Sequence, residues 1–527
     1  VAGSADLMYR EYLPAAPWSA GSVVLVAMLL VPALGAALVA LLPAARDRQA
    51  RIVATGFAAV TFGLTLLPAA LRTDVDFGWF AYGERTAGPP LMPWAALDLP
   101  WVPALGLRFH LGVDGVSYPL VVLTGLLTLL CCAYTVRKVP RGGGSGRTLA
   151  VLLLVLEVGI LGTFLALDLI LFFVFFEVVL LPMYAVIAGW GGPERRAAAR
   201  KFVLYTLAGS VLLLLGVVLV VAEAGTGDLV ALTGAPTLTR TTQCVVFALL
   251  AVAFAVKAPL WPLHTWLPDA HTEAPTVGSV ILAGVLLKMG TYGLIRVGVG
   301  VAPEGAAWAA PALGALAVVA ILAGSLICLR QRELKRLIAY SSVGHMGFVL
   351  LGIATLTVTG LQAALVGNVA HGLITGLLFF LAGTIKDRAG TGSLDQLSGL
   401  RESAPRLAGL FGFAAVASLG LPGLAGFWGE AFAVVAAVRR GGPWWLTLAA
   451  LAALGGALTA AYFLRLLRRL THGPATPSVH ALRPSIAAVE WFAWAPLVLL
   501  TLAVGIVPAL VLADTDLPLL SLLGVQP

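Results

Sequence analysis

Glu157, Glu177, Lys257, Lys288 and Glu430 each lie near the middle of an apolar segment long enough to cross a bilayer. An ionisable side chain at the centre of a membrane helix costs roughly 2.5–3.5 kcal/mol on insertion scales. A chain that keeps several of them uses them, or hides them in pairs. Two of the five lie beside helix breakers. Lys257 is followed by Pro259 and Pro262, and Glu430 follows Gly420-Leu421-Pro422-Gly423. Irregular backbone at membrane depth survives only inside protein or beside water. These residues therefore read as groups facing a hydrated interior path. His345 and His371 fall in nearby spans, and His264 lies two turns beyond Lys257. Histidine exchanges protons near neutral pH, so the set is suited to proton transfer. Glu157 has no breaker near it and is the weakest member.

Lysine suits such a path because its proton affinity is movable. Burial lowers a lysine pKa by up to about 3–5 units. A carboxylate at 4 Å contributes about 4 kcal/mol in the opposite sense at an effective dielectric of 20. Pairing and unpairing Lys257 with Glu177 would thus swing the lysine across neutrality. That energy exceeds the roughly 2.3 kcal/mol needed to move one charge through 100 mV. Pro259 and Pro262 lack N–H donors, which is expected to free carbonyls near Ala255 and Ala258. Arg296, Glu490 and Arg465 fall near span ends, where snorkelling is expected to suffice.

The positioning elements must be membrane helices. The chain of 527 residues is 60% hydrophobic and 11% charged, against about 25% charged in soluble proteins. Its start reads as no signal peptide, because Asp6, Arg10 and Glu11 give no basic n-region. Apolar runs predict about fourteen spans. They are 22–43, 52–71, 115–136, 148–166, 168–189, 202–222, 241–268, 276–298, 306–329, 337–357, 361–385, 406–438, 444–466 and 489–512. Strongly basic loops, such as Arg195-Arg196 with Arg200-Lys201 and Arg330 to Arg336, follow odd-numbered spans. The positive-inside rule then places those loops in the cytoplasm and both termini outside. Arg439-Arg440, and the near-absent loop at Asp168, fit this parity least well.

The formal charge of +8 is spread over membrane loops and points to no nucleic acid. Cys131, Cys132, Cys244 and Cys328 form no C-x-x-C or His/Cys ligand set, so no metal or iron–sulfur cluster is expected on this chain. No phosphate-binding G-x-x-x-x-G-K-[ST] loop exists, and Gly142-Gly143-Gly144-Ser145-Gly146 reads as a flexible connector. The long loop of residues 72–110 mixes Asp74, Asp76, Glu84 and Asp98 with Arg72, Arg85 and Arg108. It reads as an outer-face cover or hairpin, with Trp79, Trp94 and Trp101 as interfacial anchors. Phe172 to Phe176 read as packing rather than a quinone site.

The expected organisation is 1–147 as an N-terminal three-helix region, 148–298 and 299–466 as five-helix repeats, and 467–527 as a last helix and tail. Five is odd, so consecutive units must be inverted. Paired discontinuous helices, here spans 7 and 12, mark a transporter midplane site.

Several stretches resemble the antiporter-like subunits of respiratory complex I. Phe175-Phe176-Glu177-Val178-Val179-Leu180-Leu181-Pro182-Met183-Tyr184 resembles the family's span 5 glutamate motif. Ala255-Val256-Lys257-Ala258-Pro259 and Pro262-Leu263-His264-Thr265-Trp266-Leu267-Pro268-Asp269-Ala270-His271 resemble span 7. Leu286-Leu287-Lys288-Met289-Gly290-Thr291-Tyr292-Gly293 resembles span 8, and Leu334 to Gly347 the approach to span 10. His110-Leu111-Gly112-Val113-Asp114-Gly115 resembles the approach to span 3. Gly426-Phe427-Trp428-Gly429-Glu430, with glutamate where other branches carry lysine, is similar to the M branch.

The resemblance implies a proton-translocating subunit of NADH–quinone oxidoreductase in a bacterial plasma membrane. It implies that Glu177 modulates Lys257, that Lys288 and the histidines form a central axis, and that Glu430 leads to the exit. It implies FMN, iron–sulfur clusters and quinone on other subunits, and neighbouring membrane subunits as partners. A subunit of a multisubunit Na+/H+ antiporter, which shares fold and most motifs, is the alternative.

Overall fold

The computed structural model describes residues 18–70, 79–80, 91–103, 107–140, 142–233, 237–482 and 484–524. Asp6, Arg10, Glu11, Arg72, Asp74, Asp76, Glu84 and Arg85 lie outside the described residues. The fold is all-α apart from one hairpin. In chain order the main elements are α1 (Ala20–Leu41), α2 (Asp47–Ala70), β1 (Ala95–Val102), β2 (Leu107–Val113), α3 (Tyr118–Arg137), α4 (Gly146–Leu165), α5 (Leu169–Trp190), α6 (Arg195–Ala224), α7 (Arg240–Lys257), α8 (Trp266–Glu273), α9 (Thr276–Val299), α10 (Pro303–Arg330), α11 (Leu334–Ala354), α12 (Val358–Ala389), α13 (Pro405–Ser418), α14 (Ala425–Arg440), α15 (Gly442–Thr471) and α16 (Ala488–Ile506). Among the described residues 13 helices are long and apolar enough to cross a membrane. The span at 406–438, expected to be discontinuous, is the pair α13 and α14 separated at Leu419–Leu424, each too short to be counted among the 13.

Burial separates a centre from a rim. The most apolar window of α9 is 100% buried, that of α12 94% and that of α11 89%, against 28% for α2. A helix apolar on every side and enclosed by others belongs to the core. The rim helices leave leucines and valines to the lipid, among them Leu204, Leu215 and Leu499. The central helices approach closely where side chains are absent. A Cβ on Gly290 of α9 would lie 2.7 Å from the Ala258 nitrogen at the end of α7. One on Gly429 of α14 would lie 2.5 Å from the Gly367 Cα of α12.

Each break has a local cause. Pro259 and Pro262 end α7 at Lys257, and the chain turns through Ala258–Thr265 before α8 begins. The freed carbonyl at Ala255 does not stay open, because Leu260 N–H donates to it at 2.9 Å. Trp266 Nε1 donates to the neighbouring Val256 carbonyl at 3.0 Å. In α5, Pro182 offers no N–H to the carbonyl four residues back, and the helix is interrupted at Val179, two residues after Glu177. Two wider π turns, Leu282–Leu286 and Leu294–Val299, flank Lys288 in α9. Single π turns within α-helices are frequent at functional sites.

The loop expected as a hairpin contains one. β1 and β2 pair antiparallel, with Asp98 opposite His110, and Arg108 grips Asp98 with two bonds of 2.7 and 2.6 Å. Its second strand closes on the α4–α5 connection through a bridge from Leu111 to Ala166. Asp168 caps α5 by accepting from Ile170 and Leu171 N–H. A connector stapled on both sides needs only Ala166–Asp168, which explains the near-absent loop. Trp79 meets Trp428 of α14 edge-on at 5.2 Å, and Phe80 stacks on Phe432 at 3.7 Å.

The glycine-rich connector, expected to be flexible, is tied to the end of α5. Gly143 N–H donates to Gly189 O and Trp190 Nε1 donates to Gly144 O, both at 3.1 Å, and Ser145 caps α4. Arg440 donates to the Ala354 carbonyl at 3.1 Å and to that of Thr355, at the C-terminus of α11. A cation there meets the negative end of the helix dipole, which accounts for Arg440 on the sparsely charged side.

Candidate functional site

Lys288 has no solvent exposure. Its Nζ lies 2.5 Å from the Ala283 carbonyl, within the first π turn, and 2.6 Å from His371 Nδ1 on α12. A charged lysine has only donors. His371 must then accept at Nδ1 and carry its own proton on Nε2. The His371 ring centre is 5.9 Å from that of His345 on α11. His345 Nδ1 in turn lies 2.7 Å from Glu430 Oε1 on α14. Between these groups is a cavity of about 30 Å³, lined in part by His345, His371, Thr375, Ser418 and Glu430. That volume holds roughly one or two waters. His345 Nε2 and His371 Nε2 are buried with no hydrogen-bond partner among the described residues. Lys288, His371, His345 and Glu430 therefore form one line through four helices, with room for water where the direct contacts stop.

Glu177 and Lys257 stand apart from that line. Glu177 Oε1 accepts from Ser210 Oγ on α6. Lys257 Nζ lies 4.6 Å from the centre of the Phe176 ring, and no ion pair joins Lys257 to Glu177 within 4.0 Å. The structure thus holds the unpaired arrangement of these two groups. Lys257 ends α7, which touches α9 at Gly290, two residues after Lys288. His264 is buried in the turn after Lys257, its Nδ1 without a partner and its ring 6.0 Å from that of Tyr340. Glu157 is fully buried in α4. Neither of its carboxylate oxygens has a partner among the described residues, and it makes no bond to the rest of the set.

Two residues read as snorkelling are not. Arg296 is fully buried in the second π turn of α9, and its Nη2 lies 2.6 and 2.5 Å from the carboxylate oxygens of Asp114. Its Nε also contacts Tyr292 Oη at 3.3 Å, and Tyr292 donates to the Phe164 carbonyl. Glu490 is also fully buried. It binds Arg388 through both oxygens at 2.7 Å, and also binds Lys138. The extra turn of α9 carries Arg296 inward, and no sequence spacing announces a π turn. Arg465 is exposed at a span end, as snorkelling requires.

Sequence reasoning also passed over three buried groups. His271 is fully buried, stacks on Phe379 at 4.3 Å, and has no partner at either ring nitrogen among the described residues. Lys335 is buried and donates to the Ala274 carbonyl at 2.9 Å. Both follow breakers or basic loops, and those features hid them. On the opposite face His110, buried in β2, contacts Asp228 Oδ1 at 3.1 Å. Burial opposes ionisation of Asp228, but the His110 hydrogen bond and charge outweigh it and hold the carboxyl below its ordinary pKa. Burial pushes the neighbouring Asp168 carboxyl up. Among the described residues no group of three or more His, Cys, Asp or Glu is placed to hold a metal.

Broken helices around an enclosed line of ionisable groups define a polytopic membrane protein with a buried polar axis. Residues 166–455, which include Glu177, Lys257, Lys288 and Glu430, match the family described as NADH:quinone oxidoreductase/Mrp antiporter, TM. The chain belongs to that family, on its antiporter-like subunit M/chain 4 branch. It is 40% identical over 513 residues to NAD(P)H-quinone oxidoreductase chain 4 1 of Synechococcus sp. (strain JA-3-3Ab), covering 95% of this chain and 91% of the relative. It is 40% identical over 485 residues to NADH-quinone oxidoreductase subunit M of Rhodobacter capsulatus, covering 90% of each. A chain of respiratory complex I from Thermus thermophilus superposes with TM-score 0.81 at 32% identity, over 95% of this chain and 99% of that one. A chain of the Mrp complex from Dietzia sp. DQ12-45-1b shares the fold, with TM-score 0.79 at 24% identity over 94% and 96%.

Proposed function

We propose that this chain is a proton-translocating subunit of an NADH–quinone oxidoreductase, driven by quinone reduction elsewhere in the complex. The observation that carries the reading is the line Lys288–His371–His345–Glu430, made of direct contacts of 2.6 and 2.7 Å around a cavity with room for water. A proton arriving on Lys288 passes to His371, crosses the cavity to His345, and reaches Glu430. Lys257 and Glu177 control the charge facing that line. Unpaired, Lys257 gives up its proton more readily. Paired with Glu177 it holds one, since a carboxylate at 4 Å contributes about 4 kcal/mol at a dielectric of 20. His264 sits beside this switch at the break in α7.

FMN, iron–sulfur clusters and quinone belong, on this reading, to other subunits. The partners are neighbouring antiporter-like and small membrane subunits. The setting is a bacterial plasma membrane with both termini outside, as the basic loops after odd spans require. The shared fold of the Mrp complex keeps a sodium/proton antiporter subunit as the second reading.

A native gel of mild-detergent membrane extract, stained for NADH dehydrogenase activity and probed for this chain, separates them. Co-migration with the activity is expected. Migration in a smaller assembly without it, together with sodium-dependent proton transport, would favour the antiporter.

A further inference from the structure

On the strongly basic face of the molecule, the C-terminal ends of α10 and α15 enclose an open cavity of about 680 Å³. Five guanidinium groups line it, from Arg330, Arg332, Arg465, Arg468 and Arg469, with Asp395 as the one acidic side chain. Arg469 is bonded to Asp395. The guanidinium groups of the other four arginines have no hydrogen-bond or ion-pair partner among the described residues. Five positive charges less one negative leave a formal +4 in one pocket. The positive-inside bias accounts for basic residues on this face, but unpaired like charges repel one another, and that bias does not by itself gather five of them around one pocket.

The pocket stands where two apolar helices leave the membrane. α10 and α15 pack side by side along their length. One turn before the pocket, Leu326 is 54% exposed, four residues ahead of Arg330. Leu464, 55% exposed, lies four residues ahead of Arg468. An i, i+4 spacing puts each leucine on the same helix face as its arginine. On both helices an exposed leucine thus lies one turn below the cationic basin.

We propose that this pocket binds the headgroup of an anionic phospholipid, with an acyl chain lying along Leu326 and Leu464. Guanidinium groups grip phosphate oxygens in bidentate pairs. Four free ones suit a headgroup with two phosphodiesters, as in diphosphatidylglycerol. Basic pockets between membrane helices on the cytoplasmic side are of the kind that binds such headgroups. A soluble phosphate would use the arginines but not the leucines. The site is separate from the buried line of Lys288 and Glu430 and does not depend on it.

The test is native mass spectrometry of the detergent-purified assembly that contains this chain, titrated with diphosphatidylglycerol. Each basic group near an anionic membrane surface contributes about 5-fold in affinity. The Arg465→Gln/Arg468→Gln variant is therefore expected to bind the lipid about 30-fold more weakly. Arg196→Gln/Arg200→Gln, the same charge change at exposed positions elsewhere on the basic face, leaves binding unchanged. Equal affinity in all three proteins overturns the proposal. So does displacement of the lipid by millimolar inorganic phosphate, which would mark a soluble-anion site. A photo-crosslinker placed at Gln331 should attach to lipid; attachment to a neighbouring protein would make the basin a subunit contact and overturn the lipid assignment.

Discussion

Arg296 and Lys288 are both fully buried cations eight residues apart on α9, yet their surroundings differ. Arg296 faces a carboxylate and a phenol and is bonded to both. Lys288 contacts an imidazole and a carbonyl, and no carboxylate compensates its charge. Removing one partner of a buried pair costs about 3–5 kcal/mol, whereas replacing both with apolar groups is often neutral. Arg296→Met is therefore expected to lower the thermal stability of the assembled protein by that amount. Arg296→Met/Asp114→Leu should recover most of it, as thermal melts of the purified assembly will show. Glu157→Gln keeps the shape of a side chain that touches no member of the line, so it should leave the proton-to-electron ratio unchanged. Glu177, Lys257, Lys288 and Glu430 stood out in the sequence as buried candidates because each is a charge inside an apolar run. Arg296, Glu490, His271 and Lys335 did not. Their roles depend on a π turn, or on which side of a loop faces inward, and neither leaves a mark in spacing.

The helices bring these residues within reach by giving up side chains. Gly429 lets α14 rest on Gly367 of α12, and Glu430 is the next residue. Gly429→Leu should push α14 outward, break the His345–Glu430 contact and lower proton uptake per quinone reduced, although no charge is altered. An unchanged ratio in an assembled variant would detach the pumping line from this helix contact. The breaks themselves were readable, since Pro259, Pro262 and the Gly420–Gly423 turn can do little else in a membrane helix. That the Ala255 carbonyl is recaptured by Leu260 was not. Such a bond depends on how the chain turns, and proline marks only where it must. The hairpin offers a pH test. Asp228 is held below its ordinary pKa, chiefly by His110 working against burial. Its stabilisation is thus present above the ordinary carboxylate range and lost as pH falls through the depressed value. Asp228→Asn should reduce hydrogen-exchange protection of Leu107–Val113 at pH 7 by about 1.5–3 kcal/mol. The two proteins should converge in strong acid.

Taken whole, the molecule is a rim of lipid-facing helices around three enclosed ones, α9, α11 and α12, which carry Lys288, His345 and His371. The line of ionisable groups lies across the bundle, from α9 to α14, with direct contacts at its two ends and a water-sized cavity between them. Fold class, the two broken helices and the family were all legible from apolar runs and motifs. The gap between Glu177 and Lys257 was not, because sequence names the pair without saying whether it is closed. The most direct measurement is proton uptake per quinone reduced in inverted membrane vesicles driven by NADH, comparing wild type with Lys288→Met and Glu430→Gln. Each variant is first shown to migrate with the active assembly on a native gel. Proton transfer along Lys288–His371–His345–Glu430 predicts a ratio well below wild type in both variants. A wild-type ratio in both would mean that protons cross the membrane by a route that avoids this line.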